Sequence, residues 1–272
     1  MTLSYIITTF NRPELLEKAV ATVLRERCLD SELIIVDDNS RAPVKIPEEA
    51  VTAFLNQCRL IRNTGNVGVI GARNAGIAAA QGVYLIFLDD DDESLPNRTS
   101  DLLSVIENSD FDFVAARSYM GTNTAEKVVP TNSGFLLTLD TLLLYPPHIN
   151  AIIWRKAMFA GTLGLDNRVP YLGEHISLIL CLLHGGQGWL SDAIVARFTY
   201  IEAGLTQQAQ QQALLKEYLT NMYQLLMEES ETPTQRQLFD RILSMLRNEN
   251  IRSFDDYLQR IQPIIRRFKG LV

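Results

Sequence analysis

From the N-terminus to residue 92, runs of consecutive apolar residues alternate with stretches whose apolar positions recur at helical spacing. Leu3 to Thr8 is a run of the first kind, and Asn11-Arg12-Pro13 behind it is a helix start, with proline at the first helical position. Leu15, Leu16, Ala19, Val20, Val23 and Leu24 then follow the spacing of one helix face. A second buried run, Glu32 to Val36, ends in Asp37-Asp38-Asn39-Ser40, and Arg59 to Arg62 is a shorter strand candidate. A loop over Asn63 to Gly71 leads to an alanine-rich helix over Ala72 to Gln81. Tyr84 to Leu88 is the most apolar strand, and it runs directly into Asp89-Asp90-Asp91-Asp92. Strands alternating with helices predict an α/β fold with a mainly parallel sheet covered on both faces. Ligands on such sheets bind at the carboxyl ends of the strands, where both acidic clusters fall.

From about residue 204 the pattern becomes wholly helical. Leu215, Leu219, Met222 and Leu226 mark one helix. Thr232-Pro233-Thr234-Gln235 reads as a capping box that opens a second, through Leu238, Ile242 and Met245. Ser253, with Asp256 three residues on, opens a third carrying Leu258, Ile261, Ile265 and Phe268. The expected organisation is therefore a domain over residues 1–203 and a helical appendage over 204–272. The third helix ends in Ile264-Ile265-Arg266-Arg267-Phe268-Lys269. Cations interleaved with apolar positions would suit peripheral contact with an anionic membrane, or packing against the preceding domain or a second subunit.

Charge and cysteine content narrow the function. The net charge is −7, so no protein-wide basic field attracts nucleic acid, and none is expected as a partner. Cys28, Cys58 and Cys181 are too few and too scattered for a disulfide framework or a thiolate metal cage, which suits reduced thiols in a cytoplasmic protein. MTLSYIITTF lacks the features of a signal peptide, and no apolar stretch approaches the roughly 20 residues that cross a bilayer.

Consecutive aspartates at the end of a buried strand need a counter-charge. Two unit charges about 4 Å apart repel by roughly 4 kcal/mol at an effective dielectric of about 20. Oxygen ligands without a neighbouring Cys or His suit Mg²⁺ or Mn²⁺, which complete their shell with phosphate and water. The competing reading is a solvated acidic loop before the helix that follows Pro96. Asp37 to Ser40 admits three readings: turn chemistry, a phospho-receiver acidic pair, or a carboxylate that recognises a nucleotide base or ribose. A receiver carries its pair on the first strand, however, and here a strand–helix unit precedes it.

Together these segments resemble the family 2 glycosyltransferases of the GT-A fold, over roughly residues 3 to 200. Ile6 to Pro13 is similar to the family's opening strand and turn, and Ile35 to Ser40 to its second motif. Asn63-Thr64-Gly65-Asn66 with Gly71 to Gly76 is similar to the middle motif, and Gly82 to Asp91 to the strand delivering an Asp-x-Asp. The resemblance implies that Thr8, Phe10 and Asp38 border the nucleotide base with Asp37 beside them. It implies that Arg73 borders the diphosphate, that Asp89, Asp90 and Asp91 hold metal and ribose, and that Asp91 and Asp89 are the metal ligands. Ile152 to Lys156, Gly164-Leu165-Asp166 and Gly173-Glu174-His175 are similar to the later motifs, with His175 where many members have an aspartate base. Glu174 or His175 is then the base that takes the acceptor proton. An unperturbed histidine base would lose activity below about pH 6.5.

The activity implied is transfer of a sugar, with inversion, from a nucleotide-sugar, a UDP-sugar by preference, to a hydroxyl of a glycan or lipid-linked acceptor. Mn²⁺ or Mg²⁺ is the implied cofactor, and surface polysaccharide biosynthesis at the inner membrane face the implied setting. Two rival readings remain: a non-catalytic protein that binds nucleotide-sugar or partners, and a sugar nucleotidyltransferase. The second would place a glycine-rich loop after the first strand, and Thr8 to Arg12 contains no glycine.

Overall fold

The computed structural model describes residues 1–55, 57–120, 134–160, 164–169, 172–198 and 212–268. Two compact units divide the chain, and they do not follow a single cut at residue 203. One comprises Met1–Leu136, Pro147–Leu165 and Gln187–Tyr200; the other comprises Leu137–Pro146, Asp166–Gly186 and Ile201–Val272.

The first unit is built on the runs that read as buried strands. β1 (Leu3–Thr9), β2 (Ser31–Asp37), β3 (Cys58–Arg62) and β4 (Tyr84–Asp89) form a parallel block in the order β3-β2-β1-β4. All seven residues of β1 and of β2 are buried, as expected of strands covered on both faces. Helices α1 (Pro13–Glu26), α2 (Glu48–Ala53) and α3 (Gly68–Ala79) make the connections between these strands. α1 buries Leu16, Ala19, Val20 and Val23, the face that its spacing predicts.

Beyond β4 the sheet turns mixed, a departure from the mainly parallel expectation. The short β5 (Glu93–Ser94) and α4 (Arg98–Ile106) follow β4, and then come β6 (Phe113–Met120), β7 (Phe135–Leu136), β8 (Ile152–Arg155) and β9 (Gly188–Phe198). β8 is antiparallel to both β4 and β6, β6 is parallel to β9, and β5 and β7 pair antiparallel with β9. Trp154 on β8 is fully buried and packs edge-on against Phe87, at a ring-centroid distance of 6.3 Å. Apolar periodicity tells that a segment is a strand but not which neighbour it takes, so this half could not be ordered from the sequence.

α3 begins at Gly68, four residues before the expected Ala72, and ends at Ala79. The cause is remote. Asp38, at the end of β2, accepts the backbone N–H of Val67 (3.0 Å) and Gly68 (2.9 Å), so a carboxylate distant in sequence caps the helix. Gly76 then lets α3 lie directly on β1, because a Cβ there would fall 2.4 Å from Ile6 Cγ2.

The second unit is helical: α5 (Leu139–Leu144), α6 (Gly173–Leu183), α7 (Gln212–Glu228), α8 (Pro233–Asn248) and α9 (Phe254–Phe268). The capping box is present at α8, where Thr232 Oγ1 accepts from Gln235 N and the Gln235 side chain accepts from Thr232 N. α7 buries Leu215, Leu219, Met222 and Leu226, as its spacing predicts. α9 differs in one position: its buried stripe is Tyr257, Ile261, Ile265 and Phe268, with Tyr257 taking the place expected of Leu258. That stripe is consumed by packing, leaving Arg266 and Arg267 exposed, while Lys269 lies outside the described residues. No helix among the described residues is long and apolar enough to cross a membrane.

Candidate active site

Strand register gathers the first set of residues. Thr8 on β1 pairs with Asp89 on β4 and with Val36 on β2, so the strand ends carrying Thr8, Thr9, Asp37 and Asp89 meet along one edge. Thr8 is buried, whereas the Phe10 ring just beyond β1 is 42% exposed. Asn11 and Asn39 take positive φ values of 58° and 65°, which asparagine tolerates best among residues with a side chain other than glycine. Their loops are tied together: Asn11 N donates to Ser40 Oγ (2.8 Å), and Arg41 N donates to Asn11 Oδ1 (2.8 Å).

The two aspartates ending β2 have different surroundings. Asp37 is wholly buried, accepts Ser40 N at 2.9 Å and pairs with Arg62. Burial opposes its charge, but Ser40 and Arg62 outweigh that and hold its carboxyl below the usual range. Turn chemistry thus accounts for the Ser40 contact, and a cross-strand ion pair from β3 for the other. Asp38 accepts Asn63 Nδ2 (2.8 Å) as well as the two amides of α3. The loop from Asn63 to Gly68, which carries the first part of the middle motif, is in this way hung from the second motif.

The acidic run after β4 is neutralised residue by residue. Asp89 receives Arg73 Nη2 on both oxygens, at 2.7 and 2.9 Å, and Arg73 is itself buried at 3% exposure. Burial would raise the Asp89 carboxyl; Arg73 above all, with Asn150, outweighs burial and holds it low. Asp90 is buried, accepts Thr9 Oγ1 (2.6 Å) and meets Arg12 Nη1 (3.2 Å). Here burial prevails, and the pKa is raised to about 6. Asp91 meets the same Arg12 nitrogen at 2.8 Å, and burial together with the charge of Asp89 raises its carboxyl too.

Sequence reasoning assigned neither His148 nor Asn150 to this cluster. Asp89, Asp92 and His148 each offer a ligand atom, all within 4.8 Å of one another. Asn150, fully buried on the single 3₁₀ turn before β8, holds them: its side chain donates to Asp92 and accepts Asp89 N (3.2 Å), while its own N–H points at His148 Nδ1 (3.4 Å). The His148 ring stacks on Phe198, with centroids 4.7 Å apart, and burial depresses its pKa to about 4. Neutral imidazole carries one proton, so an Nδ1 that accepts from Asn150 leaves Nε2 as a donor. Nothing near Pro146-Pro147-His148-Ile149-Asn150 in the sequence signals this partnership, which spans some sixty residues. The carboxylate oxygens present, closely spaced and partly compensated by arginine, fit a hard divalent cation.

Arg73 lies at the acidic run, paired with Asp89. Asn74 beside it exchanges two hydrogen bonds with the Leu165 backbone, at 2.7 and 2.9 Å. Gly164 at φ +110° allows that approach, since a Cβ would sit 2.4 Å from Asn74 Oδ1.

Glu174 and His175 belong to the second unit, in the first turn of α6. Both are half-buried. His175 Nδ1 is buried with no hydrogen-bond partner among the described residues, and burial lowers the His175 pKa to about 4. Asp166 N donates to Ser177 Oγ (3.0 Å), and the Asp166 carboxylate pairs with Arg168, which also reaches Glu229 (2.8 Å). The loop over Tyr119 to Gly134, where acceptor specificity was expected to lie, falls largely outside the described residues.

The chain is 41% identical over 104 residues to a putative colanic acid biosynthesis glycosyl transferase, WcaA, of Escherichia coli, a stretch covering 38% of this chain and 37% of that protein. It is 37% identical over 108 residues to a Campylobacter jejuni GalNAc(5)-diNAcBac-PP-undecaprenol beta-1,3-glucosyltransferase, covering 37% of this chain and 33% of that one. The matched stretch thus spans about a third of the length of these curated relatives. Among solved structures, S. aureus TarS 1-349 in complex with UDP-GlcNAc superposes with a TM-score of 0.69 at 17% identity, covering 91% of this chain and 72% of that one. The mannosyltransferase PcManGT of Pyrobaculum calidifontis, in complex with GDP-Man and Mn2+, superposes with a TM-score of 0.63 at 11% identity, covering 99% of this chain and 75% of that one. These likenesses establish the α/β GT-A fold. A model of glycosyl transferase family 2 matches residues 4–162, more than half of the sequence, and the chain belongs to that family.

Proposed function

We propose that the protein transfers a sugar, with inversion, from a nucleoside-diphosphate donor to a hydroxyl of a glycan or lipid-linked acceptor, as a cytoplasmic protein of surface polysaccharide synthesis. The observation that carries this reading is the convergence of Asp89 to Asp92 with Arg73 and Arg12 at the carboxyl end of β4, next to the Phe10 and Asp38 loops. The exposed Phe10 ring offers a face on which a base can stack. A carboxylate has about four lone-pair sites, and Asp38 uses one each for Asn63, Val67 and Gly68. The acceptor site left suits the single imide N–H of uracil better than the paired donors of guanine, which favours a UDP-sugar. The relatives do not decide this, since one solved neighbour holds UDP-GlcNAc and another GDP-Man.

When bound, Mn²⁺ or Mg²⁺ would neutralise charge developing on the leaving diphosphate, with Asp91 and Asp89 as its protein ligands. Thr8 and Asp37 shape the floor under the base, Asp90 supports the ribose side, and Arg73 adds positive charge near the diphosphate. Glu174 or His175 removes the acceptor proton. Titration with UDP-sugars and GDP-sugars in Mn²⁺ and in EDTA tests the reading. Slow metal-dependent release of UDP supports it; turnover unaffected by EDTA would remove the metal from it.

One observation favours a second reading, a member that binds donor without turning it over. His175 stands where many members carry an aspartate, and burial leaves it a weak base of pKa about 4. Saturable UDP-sugar binding with no UDP release across a panel of acceptors would select that reading.

A further inference from the structure

The two arginines at the acidic run are held in different ways. Arg73 is 4% exposed in its side chain and covers both oxygens of Asp89. Arg12 is 33% exposed and uses a single nitrogen, Nη1, for Asp90 and Asp91 together. Its backbone is fixed on both sides. Asn11 is pinned to the loop of Ser40 and Arg41, and the Arg12 carbonyl accepts Leu16 N (3.0 Å) as α1 begins. Only the side chain is left to move. Asp91, the carboxylate that Arg12 covers, is more exposed than Asp90 (19% against 5%), so its ion pair lies nearer solvent. A pair sharing one nitrogen lacks the two-pronged geometry that makes Arg–carboxylate contacts strong.

We propose that Arg12 is a displaceable internal cation, which balances Asp91 in the unloaded protein and yields it to the divalent ion when the nucleoside diphosphate arrives. This rests on the donor-and-metal reading given above. Once released, the guanidinium is free to turn to the donor's phosphates, so the charge that competed with the metal becomes a ligand for them. Arg12 then couples the two ligands: metal alone must displace the arginine without return, whereas metal with diphosphate gives it a new partner. Such coupling is reciprocal, since each ligand tightens the other by the same factor.

The test is Mn²⁺ binding, followed by the electron paramagnetic resonance of the free ion, with and without saturating UDP. Arg12→Gln should bind Mn²⁺ alone at least tenfold tighter than the unaltered protein, about 1.4 kcal/mol. The factor by which UDP improves Mn²⁺ affinity should shrink correspondingly. Arg12→Lys, whose ammonium reaches one carboxylate at a time, should give about a threefold tightening, and it carries the test if the glutamine variant does not fold by circular dichroism. Unchanged or weaker Mn²⁺ binding in a folded variant overturns the role of Arg12 while leaving the metal site standing. If the unaltered protein binds no Mn²⁺ even with UDP, the donor-and-metal reading falls and this inference with it.

Discussion

Asp90 shows how burial and charge divide at a single residue. Its pKa of about 6 lies above the ordinary 3.8, so the native state keeps a proton that the unfolded chain has already lost. Stability from that proton is fully present below pH 3.8 and is lost as the pH rises through 6. Asp90→Asn should therefore raise the melting temperature at pH 7.5 in EDTA and change it little at pH 3.5, by differential scanning fluorimetry. A lower melting temperature at pH 7.5 would show that the contacts to Thr9 and Arg12 outweigh desolvation. Asp91 is the complementary case. Asp91→Ala removes charge from an over-charged loop, so the fold should persist while metal-dependent UDP binding disappears in a calorimetric titration. Persistence of that binding would move the metal to Asp89 and Asp92.

The base belongs to the same scale. Glu174→Gln keeps size and shape but removes the proton acceptor, and turnover should fall by about 100-fold or more with donor affinity nearly unchanged. If His175 is the base, His175→Asn should show that loss instead. An inflection near pH 6.5 was the expectation for a histidine, but burial lowers His175 to about 4, into the carboxylate range. The pH profile therefore cannot separate the two residues, and the paired variants must. If both retain turnover, the base lies elsewhere.

At the scale of elements, what the sequence reveals depends on how local the cause is. β1, α1, β4 and the capping box of α8 were readable because apolar runs, helical spacing and Thr232-Pro233-Thr234-Gln235 are self-contained signals. The start of α3 was not, because Asp38 supplies its cap from another strand. For the same reason the Asp-x-Asp strand could be found, while Asn150 and His148, brought to it by the antiparallel β8, could not. The α3 cap makes its own prediction. Asp38→Ala leaves Val67 N, Gly68 N and the Asn63 amide without their acceptor, a loss of about 1–2 kcal/mol by analogy with helix caps. Hydrogen exchange should then quicken at Val67 to Ile70 while the amides of β1 keep their protection. Uniform quickening across both would mean that Asp38 supports the whole unit and not one helix end.

For the molecule as a whole, the informative feature is the interleaving of the two units. Pattern alone suggested a cut at residue 203, since the helical stretch begins there. Yet Leu137–Pro146 and Asp166–Gly186 belong with the C-terminal helices. Within that unit α5 touches α6 and α9, α6 touches α7, and Arg168 ties Asp166 to Glu229. α6 is strongly apolar, burying Ile176, Leu178, Ile179 and Leu183. Each fully buried side chain of this kind contributes about 1.5–3 kcal/mol, and the stability of a domain is only about 5–15 kcal/mol. The C-terminal helices are thus part of what keeps α5 and α6 folded, along with Glu174 and His175 on α6. A fragment of residues 1–203 should accordingly bind a hydrophobic dye or precipitate, and it should lose turnover even though every residue assigned to the donor is present. A sharper outcome separates the units. UDP binding, which draws only on residues of the first unit, should survive in whatever part of the fragment stays soluble, because β1 to β4 and α3 are intact. If the fragment instead melts as cooperatively as the full chain and turns over donor at the same rate, the C-terminal helices are an appendage after all, and the cut at 203 is the right one.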